Sequence, residues 1–321
     1  MEWMYYRPFA SGAIRLRGRD RKVFLQGIVS NDLEALRPDQ AVLTMVTNAA
    51  GRILDFLVVL DDDEALLVLT LPRHGESTFA YLRQHLVGPG PRVPLAAFRE
   101  TTTGYDVFLS NESRMWDQAL LLPGDGPPPA GLKSPRHAGY TQRFSNGSAA
   151  ISLPFPLGGG LLLLNPKGVT VMMVTHTHLL DAEAYTLERV RRGILGPEHE
   201  LTAEFSPFEL GLEDFVALKK EVGFPGRTAL AHEARHNPRP RTLVGLRLQA
   251  PVTLPAFVRH HGASVGRITT TAVNGSVPVA LAVVRPPYHA SGSRLTVHYT
   301  QGRRECDVEA VVVPLPMAEV L

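Results

Sequence analysis

Asp55 is a carboxylate in a stretch of sequence whose other residues favour burial. Residues 52–60 follow a turn at 48–51 that ends in glycine, and they read as the second strand of a hairpin whose first strand spans about 42–47. Alternation places apolar side chains on both faces of this strand. An ionised carboxylate left alone there would cost several kcal/mol, so Asp55 must be paired, hydrogen-bonded or protonated. Two interpretations follow: an internal carboxylate that caps the turn or meets an arginine, and a carboxylate that faces a ligand.

A second candidate site lies in two neighbouring sequences, SPFELGL at 206–212 and FVALKKEVGFPGRTAL at 215–230. They combine the carboxylate of Glu209, the ammonium of Lys220 and a glycine-containing turn that enters a helix at Arg227. Basic side chains and a helix N-terminus together favour bound anions. The segment therefore predicts either a basic, anion-binding mouth or an ordinary solvated turn.

The remaining chemical motifs predict no further active site. His176 and His178 have the spacing of two metal ligands on a strand, but no third ligand lies nearby in the sequence, so we expect no metal. The single cysteine, Cys306, excludes an intramolecular disulfide and any cysteine-based metal site within one chain. Gly158–Gly160 precedes a strand rather than a helix and is not a dinucleotide fingerprint. No serine has the context of a nucleophile elbow, which leaves hydrolase chemistry unsupported.

Composition describes an ordinary globular protein. The chain has 321 residues, 44% of them hydrophobic and 20% charged, and we expect two or three domains on the usual relation of about 100–200 residues per domain. A net charge of +2 demands neither a nucleic-acid nor a membrane partner. The chain start lacks the pattern of a signal peptide, and the apolar runs fall short of the ~20 residues of a membrane span. We therefore expect a cytoplasmic protein.

The elements that position these residues indicate an α+β protein with a separate barrel. The chain to residue 237 mixes strands and helices, with a helix at 76–86 and a proline-rich linker at 123–135. Residues 238–321 show short strands at regular spacing, with Pro238 at the hinge, which predicts a small antiparallel β-barrel as a second domain. The predicted strands outside the hairpin are 14–18, 65–70, 161–165, 169–175, 243–248, 264–269, 277–284, 294–299 and 306–313.

Arg191 lies in a helix that we expect to begin after the N-cap Asp181 and to end at Gly193. Ala184, Leu187 and Arg191 follow each other at three- and four-residue steps, so the arginine is expected to face inward with the apolar residues. A buried guanidinium needs an anionic partner. The candidate partners are an internal carboxylate, such as that of Asp55 or Glu209, and a carboxylate of a bound ligand.

Across nearly its whole length the chain resembles the glycine-cleavage T-protein (aminomethyltransferase) superfamily, including its folate-binding YgfZ-type relatives of iron-sulfur enzyme maintenance. LRGRDRKVFLQGIVSND at 16–32 and TNAAGRILDFLVV at 47–59 are similar to the N-terminal signatures of the superfamily. SPFELGL and GFPGRTAL match the Pro-x-Glu-x-Gly-Leu and Phe-x-Gly-x-x-Ala-Leu elements, and ASVGRITTTA matches part of the terminal barrel. The resemblance implies a T-protein-like multidomain fold with a central cavity and a C-terminal antiparallel β-barrel.

The resemblance also implies a ligand and its site. The ligand is tetrahydrofolate or a related reduced folate, and the implied reaction is one-carbon transfer, in which Asp55 holds and polarises the folate nitrogen. A lipoyl carrier or an iron-sulfur protein is the implied partner. The implied cofactor-binding residues are Asn48, Arg191, Glu209, Lys220, Phe224 and Arg227.

Three departures from the superfamily pattern accompany this resemblance. Arg191 stands where the T-protein helix has a glutamate that meets the pterin, and an arginine offers only donors there. Residues 154–158 replace the Gly-Tyr-Thr-Gly-Glu loop of the T-protein. Lys220, Phe224 and Gly226 match the YgfZ-type signature, but its cysteine is missing. The departures favour a diverged role, so a non-catalytic folate-dependent factor is the alternative to a working aminomethyltransferase.

Overall fold

The described part of the computed structural model is built from two sheets, one closed barrel and four α-helices. It comprises residues 3–6, 11–34, 36–37, 40–62, 65–86, 98–100, 105–110, 141–143, 147–153, 160–168, 178–237 and 239–317. The predicted strand at 169–175, the linker at 123–135, His176, Pro238 and the segment 154–158 lie outside these residues. Residues 158–159 of the glycine run also lie outside them.

The hairpin that carries Asp55 belongs to a five-stranded sheet with the order β3-β4-β5-β2-β6. Its strands are β2 (Ser11–Arg17), β3 (Ala41–Thr47), β4 (Ile53–Asp62), β5 (Ala65–Pro72) and β6 (Phe98–Glu100). All neighbours in this sheet are antiparallel. The predicted hairpin of residues 42–60 is confirmed by the pairing of β3 with β4.

Two helices contribute to the hydrophobic core on one face of this sheet. They are α1 (Arg21–Gln26) and α2 (Gly75–Gln84). Leu57 and Val59 of β4, Ile14 of β2 and Leu82 of α2 are fully buried in this core. Each such side chain contributes about 1.5–3 kcal/mol on burial. Because Asp55 has the same strand parity as Leu57 and Val59, it points toward this helix-covered face.

A second sheet has the order β11-β1-β7-β10-β9-β8. Its strands are β1 (Trp3–Tyr6), β7 (Tyr105–Ser110), β8 (Thr141–Arg143), β9 (Ala149–Ser152), β10 (Leu161–Pro166) and β11 (His178–Leu179). Only the pairing of β1 with β11 is parallel among the described strands. The predicted strand at 161–165 is confirmed as β10.

The C-terminal part of the chain forms the predicted antiparallel barrel, with six described strands in the closed order β12-β15-β14-β13-β16-β17. They are β12 (Thr242–Leu248), β13 (Ala256–His260), β14 (Ala263–Asn274), β15 (Val277–Val284), β16 (Arg294–Gln301) and β17 (Arg304–Val313). The sequence pattern predicted five of them and missed β13. That strand is short and presents an exposed Phe257, so hydrophobic alternation does not mark it.

Helix α3 (Ala182–Arg192) has the two ends that the sequence predicts. The carboxylate of Asp181 accepts a hydrogen bond from the backbone N–H of Ala184 at 2.8 Å, and Gly193 adopts the left-handed conformation. Helix α4 (Arg227–His236) follows two short 3-10 helices, Pro207–Leu210 and Glu213–Phe215. No helix among the described residues is long and apolar enough to cross a membrane.

The chain divides into two compact units, and neither is continuous in sequence. Unit 1 is Met1–Leu180 with Asp214–Leu230, and unit 2 is Asp181–Glu213 with Ala231–Leu321. The barrel strands thus share their unit with α3 and with the Pro207–Leu210 helix. A boundary between domains at residues 237 and 238 remains our proposal from the sequence.

Candidate functional site

Asp55 is buried, with 1% of its surface exposed, and both of its carboxylate oxygens accept hydrogen bonds. The hydroxyl of Thr78 donates to Oδ2 at 2.5 Å, and the backbone N–H of Leu71 donates to Oδ1 at 3.1 Å. The Nδ1 atom of His74 lies 3.6 Å from Oδ1. Burial raises the pKa of Asp55 to about 7, although its hydrogen bonds favour the ionised form. Of the three states expected for Asp55, paired, hydrogen-bonded or protonated, the structure shows the hydrogen-bonded one.

The turn before β4 fixes where Asp55 points. The side chain of Asn48 accepts hydrogen bonds from the backbone N–H groups of Ala50 and Arg52, both at 3.0 Å, and so closes the turn. The pairing register with β3 then shifts by one residue, which leaves Leu54 as the extra residue of a bulge. Asn48 therefore shapes the hairpin with its own side-chain oxygen.

Among the buried carboxylates of the described residues, Asp55 is distinguished by its charge environment. Glu200 pairs with an arginine at 2.7 Å, and Glu209 pairs with an arginine at 2.5 Å. For Asp55 the described residues provide only His74 at ion-pair distance, and no lysine or arginine. Asp55 is thus a buried acid without a permanent cation beside it, the environment that most strongly favours its protonated form.

Lys220 is directed into the protein and not toward an open anion-binding mouth. Its ammonium donates to the backbone carbonyls of Gln26 at 2.6 Å, of Val29 at 2.5 Å and of Asn31 at 3.1 Å. The same ammonium lies 5.0 Å from the ring centroid of Phe224, a cation–π distance. All three of its N–H donors have protein acceptors, so an anion would have to displace one of these carbonyls.

The electrostatics of Lys220 follow from this environment. The pKa of Lys220 is lowered to about 8, mainly by burial; the carboxylate of Asp32 opposes this shift, and the guanidinium of Arg227 adds a smaller lowering. Arg227 itself is partly exposed, and its Nε donates to the carbonyl of Leu218 at 2.9 Å. In the predicted basic mouth, the described geometry therefore leaves Arg227 as the more accessible cation.

The loop that carries Phe224 and Arg227 packs directly on the turn of Asn48. A Cβ atom added to Gly226, whose φ is +86°, would lie 2.4 Å from the carbonyl oxygen of Asn48. The hydroxyl of Thr47 donates to the carbonyl of Pro225 at 2.5 Å. Only glycine permits so close an approach of two backbones. The structure thus brings two of the predicted motifs, 47–55 and 223–230, together within unit 1.

The chain has relatives among characterised proteins and among solved structures. No protein-family model matches it. It is 30% identical over 311 residues to an aminomethyltransferase of Synechococcus sp. (strain CC9311), with 89% of this chain and 80% of the relative covered. It is also 30% identical over 326 residues to the aminomethyltransferase of Synechococcus sp. (strain RCC307), with 95% and 84% covered. The chain belongs to the aminomethyltransferase family.

The fold of this family member agrees with a solved relative. The glycine cleavage system aminomethyltransferase T of Bartonella henselae superposes with a TM-score of 0.75 at 17% sequence identity, covering 99% of this chain and 86% of that one. With its α+β elements and closed C-terminal barrel, the chain has the T-protein fold that the sequence resemblance implied.

In unit 2 of this aminomethyltransferase-family chain, Arg191 does not pair with either of the internal carboxylates that the sequence suggested. Arg191 pairs with Glu188 on its own helix at 3.1 Å, and its side chain is 34% exposed. Glu209 pairs instead with Arg241, whose guanidinium donates to both carboxylate oxygens, at 2.5 and 3.1 Å. Asp55 and Glu209 were thus the wrong partners to expect for Arg191. The neighbour Glu188, three residues earlier, is within easy reach on a helix surface.

The buried arginine of α3 is Arg189, which sequence reasoning missed. Its guanidinium donates to Glu200 and to the hydroxyl of Thr270, both at 2.7 Å, and to the carbonyl of Ile194 at 3.1 Å. The backbone N–H of Gly196 also donates to Glu200 at 2.7 Å. The last turn of α3 holds three arginines, and the spacing with Ala184 and Leu187 wrongly indicated Arg191 as the inward-facing one. Glu200, eleven residues later, decides which one is buried.

The possible metal site of His176 and His178 is the remaining candidate from the sequence. Among the described residues, no three histidine, cysteine, aspartate or glutamate side chains gather as ligands for a metal ion. His178 is described and His176 is not, so the spacing of that pair is untested. The expectation of no bound metal remains a prediction.

Proposed function

We propose that this chain binds tetrahydrofolate or a related reduced folate, with Asp55 as the carboxylate that contacts the folate. Family membership supports the ligand class, and the match of residues 47–59 to the superfamily signature supports the residue. The observation that carries the proposal is a fully buried carboxylate with no lysine or arginine beside it among the described residues. Such an acid costs stability, so a ligand that uses it is the simplest reason for its presence.

The chemistry of Asp55 suits a nitrogen ligand. A carboxylate has about four acceptor positions, and internal hydrogen bonds from Thr78, Leu71 and the backbone N–H of Phe56 use three of them. With a pKa near 7, Asp55 can accept a hydrogen bond in its ionised form or donate one in its neutral form. We propose that it orients and polarises a folate nitrogen, so that preorganised electrostatics supports one-carbon chemistry.

The remaining site residues have proposed roles that follow from their contacts. Arg227, partly exposed with one donor engaged, is proposed to meet an anionic group of the folate, such as its glutamyl carboxylate. Asn48, Lys220 and Phe224 are proposed to shape the site, since their described contacts are internal. Glu209 and Arg191, both engaged with charged neighbours, stay proposals as folate contacts.

Calorimetric titration with tetrahydrofolate and 5-formyltetrahydrofolate tests the proposal. We expect the wild-type protein to bind at least one of them, and Asp55→Asn to weaken binding by about 1.5–3 kcal/mol, the usual value of a hydrogen bond to a charged group. Thr78→Val is the matched control, because it removes an internal partner of Asp55 and leaves the carboxylate in place. Its affinity should stay close to that of the wild type.

Two results would contradict this proposal at different levels. No measurable binding of either folate by the wild-type protein would exclude the function. Unchanged affinity of Asp55→Asn would remove Asp55 from the site and leave folate binding intact.

A second candidate function is a non-catalytic, YgfZ-like folate-dependent factor with an iron-sulfur protein as its partner. The Arg191–Glu188 pair favours it, because a cation held by its own helix occupies the position where the T-protein glutamate is implied to meet the pterin. The catalytic alternative would take a lipoyl carrier as partner. We propose a cytoplasmic location in both cases.

We expect little or no aminomethyltransferase turnover. Loss of one group that acts on the reacting ligand typically costs a factor of roughly 10² or more in rate. Tetrahydrofolate-dependent release of ammonia from an aminomethyl-lipoyl carrier would be measured beside the Bartonella henselae protein under identical conditions. Comparable rates of the two proteins would favour the catalytic alternative over the YgfZ-like one.

A further inference from the structure

Three backbone carbonyl groups surround the ammonium of Lys220 and accept its hydrogen bonds. Gln26 is the last residue of helix α1, so its carbonyl has no partner within the helix, and the carbonyls of Val29 and Asn31 come from the segment that follows. All three oxygens converge on one atom at 2.5–3.1 Å. We call these three carbonyl groups the carbonyl cradle.

The charge of the ammonium in the carbonyl cradle is not neutralised by an ion pair. The described residues include no ion pair between Lys220 and a carboxylate, and Asp32 acts on the ammonium only through longer-range electrostatics. The side chain is 6% exposed, so water does not replace a counter-ion. Carbonyl dipoles, helped by the ring of Phe224, therefore solvate the cation. Rings of backbone carbonyls solvate monovalent cations in the same way when they replace a hydration shell.

The carbonyl cradle also joins two distant parts of unit 1. Residues 26–31 lie beside β3, where the N–H of Ser30 donates to the carbonyl of Met45 at 2.8 Å. The hydroxyl of Ser30 donates to the carbonyl of Phe215 at 2.8 Å, and the N–H of Ala217 donates to the carbonyl of Ser30 at 2.9 Å. The ammonium closes this junction, because it reaches from 220 back to residues nearly two hundred positions earlier.

We propose that the carbonyl cradle is a monovalent-cation site whose resident cation is the Lys220 ammonium. Without that side chain, the three carbonyls lose this partner, and those of Gln26 and Val29 are left buried, which is costly. The vacated space then takes a free cation of similar size, with K⁺ and NH₄⁺ preferred over the smaller Na⁺. Lys220 is thus a positioning residue for residues 26–31 and 215–220, and this inference does not depend on the identity of the ligand.

Chemical rescue tests the proposal. Thermal unfolding of wild type, Lys220→Ala and Lys220→Met would be followed at constant ionic strength in choline, sodium, potassium, ammonium or methylammonium chloride. We expect both variants to lose on the order of 5 °C in choline. Lys220→Ala should regain roughly half of that loss, saturably, in potassium, ammonium or methylammonium. Lys220→Met should not, because its apolar chain fills the space.

Lys219→Ala is the matched control. Lys219 is the exposed neighbour with the same charge, so its variant and the wild type should show the same Tm in all five salts. A Lys220→Ala protein that responds to the salts no differently from Lys219→Ala would overturn the proposal.

A direct binding measurement covers the case in which Lys220→Ala folds poorly. The refolding yield of Lys220→Ala would then be compared between ammonium chloride and choline chloride. Binding of isotopically labelled ammonium to the refolded protein would be observed by NMR. We expect a bound, slowly exchanging ammonium signal in Lys220→Ala and none in the wild type. Absence of that signal together with equal refolding yields would refute the cation site.

Discussion

Arg189→Met is expected to destabilise unit 2 by about 3–5 kcal/mol, the usual loss when one partner of a buried ion pair is removed. The carboxylate of Glu200 would remain fully buried, with only the hydroxyl of Thr270 and the N–H of Gly196 as described donors. Chemical denaturation that resolves the unfolding of unit 2 would measure the loss. Methionine keeps the length of the side chain, so the result reports on charge and hydrogen bonding more than on lost volume.

Two companion variants make the Arg189 result specific. Arg191→Met, on the same helix, removes a partly exposed pair with Glu188 and should cost less than about 1 kcal/mol. The double variant Arg189→Met with Glu200→Gln removes the stranded charge and should recover a substantial part of the loss. Equal losses for Arg189→Met and Arg191→Met would contradict the assignment of Arg189 as the buried arginine.

Asp55→Asn is expected to stabilise the protein at neutral and higher pH. The folded-state pKa of Asp55 is about 7, raised from 3.8 by burial, so the folded protein binds more protons than the unfolded chain between these values. Stability from this group is therefore full below pH 4 and falls as pH rises through 7. The difference of about 3 pH units at about 1.4 kcal/mol each sets an upper limit of roughly 4 kcal/mol. The asparagine has no charge to bury and should lack this decline.

Free energies of unfolding measured from pH 4 to pH 9 would show the effect as a difference between wild type and variant that grows with pH. Asp32→Asn is the control and should show a constant difference from wild type over this range, because hydrogen bonds lower the pKa of Asp32, first from the N–H of Glu34, against a smaller effect of burial. That carboxylate stabilises the fold above pH 4 and loses its contribution in acid. A uniform destabilisation of Asp55→Asn at every pH would show that its hydrogen bonds outweigh the cost of its charge.

The Asp55 variant also links stability to function. If Asp55→Asn raises stability at neutral pH and lowers folate affinity, the carboxylate of Asp55 is maintained for binding at a cost in stability. A gain in stability with no change in affinity would instead mark Asp55 as a destabilising internal group without a ligand.

Local sequence patterns determined much of the architecture. Alternation of apolar residues around Asp55 placed it in a buried strand, and the turn at 48–51 located the hairpin, because both signals depend on residues only a few positions apart. Regular strand spacing indicated the barrel in the same way. The cap residues Asp181 and Gly193 gave both ends of α3, since capping is satisfied by neighbours in sequence.

The tertiary structure alone decided which charges are partners. Arg189 and Arg191 are of the same type and lie on different sides of α3; the spacing pattern pointed to Arg191, whereas Glu200 pairs with Arg189 and buries it. Lys220 suggested an anion site, yet its acceptors are carbonyls of residues 26–31. Every residue has a backbone carbonyl, so the pattern of side chains cannot predict where three carbonyls converge. The sequence therefore identified the charged residues. Their partners depend on the fold, because the fold brings distant segments together.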